Sequence, residues 1–98
     1  MKMNYNKDVE KLTLAPEGRL DTMSAPAFEK EVGELLSGVA ELVLDMTNVE
    51  YVSSAGLLVI KKIKKVMFNQ GKMKLIGVNE SVMEVFEITG FSNILNIE

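Results

Sequence analysis

Two adjacent serines, Ser53 and Ser54, are the residues of this sequence with the most chemistry to offer. They end the segment Asp45-Met46-Thr47-Asn48-Val49-Glu50-Tyr51-Val52-Ser53-Ser54 and run into Ala55-Gly56-Leu57, where an amphipathic stretch begins. The first turn of a helix leaves backbone N–H groups without intrahelical partners, and these groups and the macrodipole favour negative charge. A serine there can cap the helix. It can also carry a phosphate whose oxygens meet those donors. Ala55 and Gly56 add no bulk, so the surface of another protein could approach the hydroxyl closely. The residues alone leave a plainer reading open, with Ser53 and Ser54 as caps and Gly56 as a tight helix–strand contact.

Little other chemistry is available. The chain has no histidine and no cysteine, which removes the commonest general bases and every thiol nucleophile. The expectation is a binding protein rather than an enzyme, with no cofactor. Asp21 and Asp45 both fall at strand ends, but two carboxylates are too few to argue a magnesium site, and Asp45 reads as a turn-capping residue. The seven methionines read as flexible core filler. Lys61, Lys62, Lys64 and Lys65 crowd one helical stretch, with Lys72 and Lys74 following. They flank the apolar Ile60 and Ile63, as a solvated face does, and could also meet an acidic patch on a protein partner.

The elements that must position the serines alternate along the chain. Met1, Met3 and Tyr5 alternate with polar residues over 1–6 as in a strand, and Asn6-Lys7-Asp8 reads as a turn. From Lys11 to Leu20, Leu12, Leu14, Gly18 and Leu20 share one face, and Pro16 suggests an edge or a bulge. The period then changes. Phe28, Val32, Leu35 and Leu36 mark a helix with Thr22 or Ser24 as cap, Pro26 in the first turn and Gly38 at the end. Leu42-Val43-Leu44 suits a strand buried on both faces. A second helix is expected over about Ser54–Asn69, with Leu57, Ile60, Ile63 and Met67 inward. Met73–Ile76 reads as a strand, a third helix capped by Asn79 has Val82, Val85, Phe86 and Thr89 on its apolar face and Gly90 just past its end, and Ile94–Ile97 could add a last strand. The expected order is ββαβαβαβ: an α/β fold with one mixed sheet of about five strands and three main helices.

With 98 residues, 47% of them apolar, the chain has the size and composition of one globular domain. The N-terminus has no apolar signal region, and no apolar run approaches the roughly 20 residues of a membrane helix. No membrane insertion is expected, and the lack of cysteine fits a reducing cytoplasm. A net charge of −3, with four Phe, two Tyr and no Trp, argues against direct nucleic-acid binding.

Three segments together resemble the STAS domain family, whose members include the bacterial anti-sigma factor antagonists. Tyr51-Val52-Ser53-Ser54-Ala55-Gly56-Leu57 is similar to the family's strand, turn and Asp-Ser-Ser/Thr/Ala-Gly-Leu helix start. Gly18-Arg19-Leu20-Asp21 resembles its Gly-x-Leu-Asp, and Phe86-Glu87-Ile88-Thr89-Gly90-Phe91 its segment after the third helix. The resemblance spans essentially residues 1–98 as one STAS domain. It implies that Ser54 is the phosphoacceptor of a serine kinase that is itself the anti-sigma factor. Asp21 would lie beside that serine, and Asp21, Thr22, Ser53, Ser54, Ala55, Gly56, Leu57 and Leu58 would form the partner surface. A cognate phosphatase is implied as well. The alternative is an adaptor module of a lipid- or anion-transport complex, without phosphorylation. The sequence departs from the family pattern at Ser53, where many members have Asp, which makes Ser53 a minor alternative phosphosite. It also ends at Glu98, where many members continue into a further helix.

Overall fold

The computed structural model describes residues 2–98; Met1, which heads the first alternating run, lies outside them. Strands β1 (Lys2–Asp8) and β2 (Lys11–Leu20) form an antiparallel hairpin, and helix α1 (Ala25–Leu35) follows. Then come β3 (Glu41–Asp45), β4 (Val49–Val52), α2 (Ser54–Gln70), β5 (Lys72–Ile76), α3 (Glu80–Ile88) and a single 3₁₀ turn, Phe91–Asn93. The sheet runs β1-β2-β3-β5, and β4 pairs with the far end of β2. Only β1 is antiparallel; the β2–β3, β3–β5 and β2–β4 pairs are parallel.

The register explains the core. Leu12 lies across from Leu42, and Leu42 from Met73; Leu14 lies across from Leu44, and Leu44 from Leu75. These two rows of aliphatic side chains are almost entirely removed from water. Phe28 and Val32 of α1, Ile60, Ile63 and Met67 of α2, and Val82 and Phe86 of α3 join them in a single cluster. Each such side chain contributes on the order of 1.5–3 kcal/mol by leaving water, so the inward stripes, more than helix propensity, fix the three helices.

Strand β2 serves two partners. Residues 11–14 pair with β3, and Gly18–Leu20 pair with β4 through a register shift between Gly18 and Arg19. Pro16 stands between these two ladders, so its missing N–H costs no bond on that side. The bulge or edge anticipated from Pro16 is thus a change of partner.

The fold class and its five strands and three helices match expectation, while the element order differs in three details. Val49–Val52 is a strand, where the sequence suggested only an approach to the helix; only its two end residues are buried, so it shows no alternation. Asn6–Asp8 is not a turn but the end of β1, paired as far as Asp8 with Lys11. The expected strand at Ile94–Ile97 reduces to one bridge, Ile97 to Leu75.

Candidate functional site

The C-terminal ends of β2 and β4 deliver two loops to the same edge of the sheet. Leu20 pairs with Val52, and one residue later the Ser53 N–H donates to the Leu20 carbonyl at 2.9 Å. Ser53 is extended (φ −87°, ψ 178°) and is the cap residue of α2. Its carbonyl accepts the first helical bond, from Leu57 N–H at 2.9 Å. Ser54 is therefore the first residue of the helix, and it is exposed.

No side chain caps that first turn, and no acidic residue occupies it. The two serines differ sharply. The Ser53 Oγ is sealed from water and has no hydrogen-bond partner. Ser54 faces solvent. The hydroxyl that an incoming group can reach is thus Ser54, at the positive end of a helix of 17 residues.

Asp21 organises the neighbouring loop. Its Oδ1 accepts from the Met23 N–H at 3.0 Å and from the Ser24 N–H at 3.2 Å. Ser24, the nominal cap of α1, makes no capping bond. Its hydroxyl instead donates to the Arg19 carbonyl at 2.6 Å and accepts from the Asp21 N–H at 3.0 Å. Arg19 Nε stands 3.7 Å from Asp21 Oδ2, and its guanidinium lies over the Tyr51 ring, 4.7 Å from the centroid. The backbone bond from Ser24 is the main influence holding the Asp21 carboxyl below the usual carboxylate range; the Met23 N–H, the Ser24 hydroxyl and the Arg19 charge add to it. Asp21 is a brace for the loop, fully engaged by it and by Arg19.

The remaining sequence-derived positions divide by burial. Thr22 and Leu58 are exposed and Ala55 is half-buried. Gly56 and Leu57 are buried. A Cβ on Gly56 would lie 2.7 Å from the Leu20 carbonyl oxygen and 2.8 Å from its Cγ. The glycine lets α2 seat on β2, and Leu57 joins the core beneath. One surface residue was not foreseen. Met23, in the Asp21 loop, is 89% exposed. An apolar residue between the turn residues Thr22 and Ser24 was its only signal.

Among the described residues no hydrogen bond reaches the Ser54 hydroxyl, and the chain has no histidine. The arrangement can present a serine hydroxyl beside free helix N–H groups and exposed apolar residues. The pattern described as the STAS domain matches residues 2–98, and the chain belongs to that family. It is 31% identical over 97% of its length to the anti-sigma-B factor antagonist of Bacillus subtilis, covering 92% of that protein. A Thermotoga maritima protein provisionally described as an anti-sigma factor antagonist superposes with a TM-score of 0.89 at 28% identity, over 97% of this chain and 84% of the other. The anti-sigma factor antagonist SpoIIAA in its unphosphorylated form has the same fold, with a TM-score of 0.79 at 13% identity over 99% of this chain and 88% of that one. SpoIIAA of Bacillus has also been solved in a phosphorylated form.

Proposed function

We propose that this chain is an anti-sigma factor antagonist whose partner binding is switched by phosphorylation of Ser54. The observation that carries the reading is the contrast at the start of α2, an exposed Ser54 beside a half-buried Ser53 whose Oγ is sealed from water. In the unphosphorylated state the surface of Ser54, Thr22, Met23 and Leu58, held by Asp21, docks on an anti-sigma factor that is itself a serine kinase. The sigma factor is thereby released. The protein works in the cytoplasm, where its partners act, and is the kinase's substrate rather than an enzyme.

Phosphorylation adds roughly −1.5 to −2 charges. In the free protein the first-turn N–H groups and the helix dipole support that charge. In a close interface the same charge must be stripped of water or face the partner's own groups, so the complex dissociates. A hundredfold loss of affinity requires about 2.8 kcal/mol, within reach of one desolvated dianion. A phosphatase resets the switch.

Wild type, Ser54→Ala and Ser54→Asp decide the matter. Incubated with the anti-sigma factor kinase and ATP, wild type and Ser53→Ala become labelled and Ser54→Ala does not. In pull-downs, Ser54→Ala keeps the kinase and Ser54→Asp loses it. Equal retention of partners by both variants would instead mark a constitutive adaptor.

A further inference from the structure

The exposed side of α2 continues well past its first turn. Ser54, Leu58, Lys61, Lys65 and Phe68 recur at alternating four- and three-residue steps, which draws one line along a helix. All five are exposed, and the line lies opposite the buried Gly56, Ile60, Ile63 and Met67. From Ser54 to Phe68 it runs about 21 Å at the helical rise per residue. Leu58 is 58% and Phe68 78% exposed, on the side of the helix that contributes nothing to the core. Lys62, at the margin, is turned to Glu29 at 3.0 Å. Lys61 and Lys65 have no ion-pair partner among the described residues. Helix α2 carries no acidic residue, so along this line two cations without ion-pair partners stand between two exposed apolar residues in a chain of net charge −3.

Size bears on what this patch does. A stable protein–protein contact takes roughly 800 Å² from each partner, a patch about 30 Å across. The first turn of α2 and the Asp21 loop are too small to supply it. The outer face of α2 extends that surface along a row of exposed residues that make no ion pair among the described residues. An aromatic side chain seated in a partner's pocket slows dissociation, and complementary charges speed association.

We propose that α2 presents this whole face to the protein that docks at Ser54, and that the partner offers an acidic groove along Lys61 and Lys65 ending in an apolar recess for Phe68. The inference rests on the reading of Ser54 as the docking point. It predicts a division of labour along the helix. The phosphate controls one end, the lysines set the association rate in a salt-dependent way, and Phe68 slows dissociation.

The test uses the full chain in its native bacterium, with benzoylphenylalanine in place of Met23, Lys65, Phe68 or, as control, Asn6. Irradiation from the first three positions yields the same protein, with peptides rich in Asp and Glu captured from position 65 and nothing from position 6. With that purified protein, Lys61→Glu combined with Lys65→Glu slows association at least tenfold at low salt, and high salt erases the difference. Phe68→Ala speeds dissociation about tenfold. Capture from position 23 alone, with positions 65 and 68 silent or joined to lipid, another protein or a second copy of this chain, overturns the inference and leaves the Ser54 reading standing. Silence at position 23 overturns the Ser54 reading and this inference with it.

Discussion

The amide of Ser53 is bonded to the carbonyl of Leu20 at 2.9 Å, so the residue before the exposed serine is tied to the residue before Asp21. The two loops of the site are therefore fixed to each other by main chain. Side chains could change on either loop without altering their spacing. In the proposed switch, a phosphate on Ser54 would change the surface chemically while this main-chain tie keeps the spacing of the two loops.

That scaffold depends on Gly56. Its missing side chain leaves room for the Leu20 carbonyl and Cγ, and a new Cβ would sit within 2.8 Å of both. Backbone cannot yield cheaply, so Gly56→Ala must lift the start of α2. The expected loss is about 1–3 kcal/mol, as for other overpacked sites. It is read from urea unfolding. Because α2 carries Ser54, the same variant should be phosphorylated more slowly even where it remains folded. A Gly56→Ala protein as stable as wild type would contradict this seating.

Asp21 predicts a particular pH dependence. Its carboxyl is held below the usual carboxylate range, chiefly by the Ser24 backbone bond. A group with a depressed folded-state pKa contributes stability that is fully present above its unfolded value and is lost as pH falls through the folded one. Asp21→Asn should therefore be less stable than wild type at pH 7, and the gap should close on acidification below the ordinary range for aspartate. Unfolding midpoints of both proteins at neutral pH and at about pH 3 give the comparison. A gap that stays constant with pH would mean that the brace does not depend on charge.

Much of this was legible in the chain. Leu12, Leu14, Leu42, Leu44 and the apolar stripes of the helices announce themselves by periodicity, because each buries one face against a common core. Strand β4 could not, since Glu50 and Tyr51 are both exposed and only its ends are buried. The end of β1 was hidden for a related reason. An edge strand with almost every residue exposed carries no burial signal, and backbone pairing alone keeps Asn6, Lys7 and Asp8 in register. At the site, the serine pair was visible as types at a spacing, and Asp21 through the family resemblance of Gly18-Arg19-Leu20-Asp21. Which hydroxyl faces water depends on where the helix starts, and the Ser53–Leu20 bond sets that. Gly56 was read both ways, and only the proximity of Leu20 decides for packing.

The hairpin turn carries the next prediction. Val9 has φ +53°, a left-handed conformation that β-branched residues rarely adopt. It is 86% exposed, so no burial offsets the strain. Asparagine tolerates this region far better. Val9→Asn should raise stability by about 0.5–1 kcal/mol, measured as a higher urea midpoint with an unchanged slope. It should leave phosphorylation of Ser54 unaltered, since the β1–β2 turn lies at the other end of β2 from Leu20. A loss of stability would indicate that the valine side chain makes a contact in solution that the turn geometry does not account for.

Ser53 supplies the sharpest separation between structure and switching. Its backbone caps α2, but its hydroxyl is buried, makes no capping bond and has no partner. An unsatisfied buried hydroxyl costs stability, and removing it restores what its desolvation took away. Ser53→Ala should therefore be neutral or stabilising by up to about 1 kcal/mol, against the loss of about 1 kcal/mol usual when a capping serine is removed. Ser54→Ala, at an exposed position, should fall within about 0.5 kcal/mol of wild type. In kinase reactions the order of effects reverses: Ser53→Ala keeps full incorporation and Ser54→Ala loses it. A Ser53→Ala protein destabilised by 1 kcal/mol or more would mean that Oγ reaches a first-turn N–H after all, and the two serines would then share the work of the helix start.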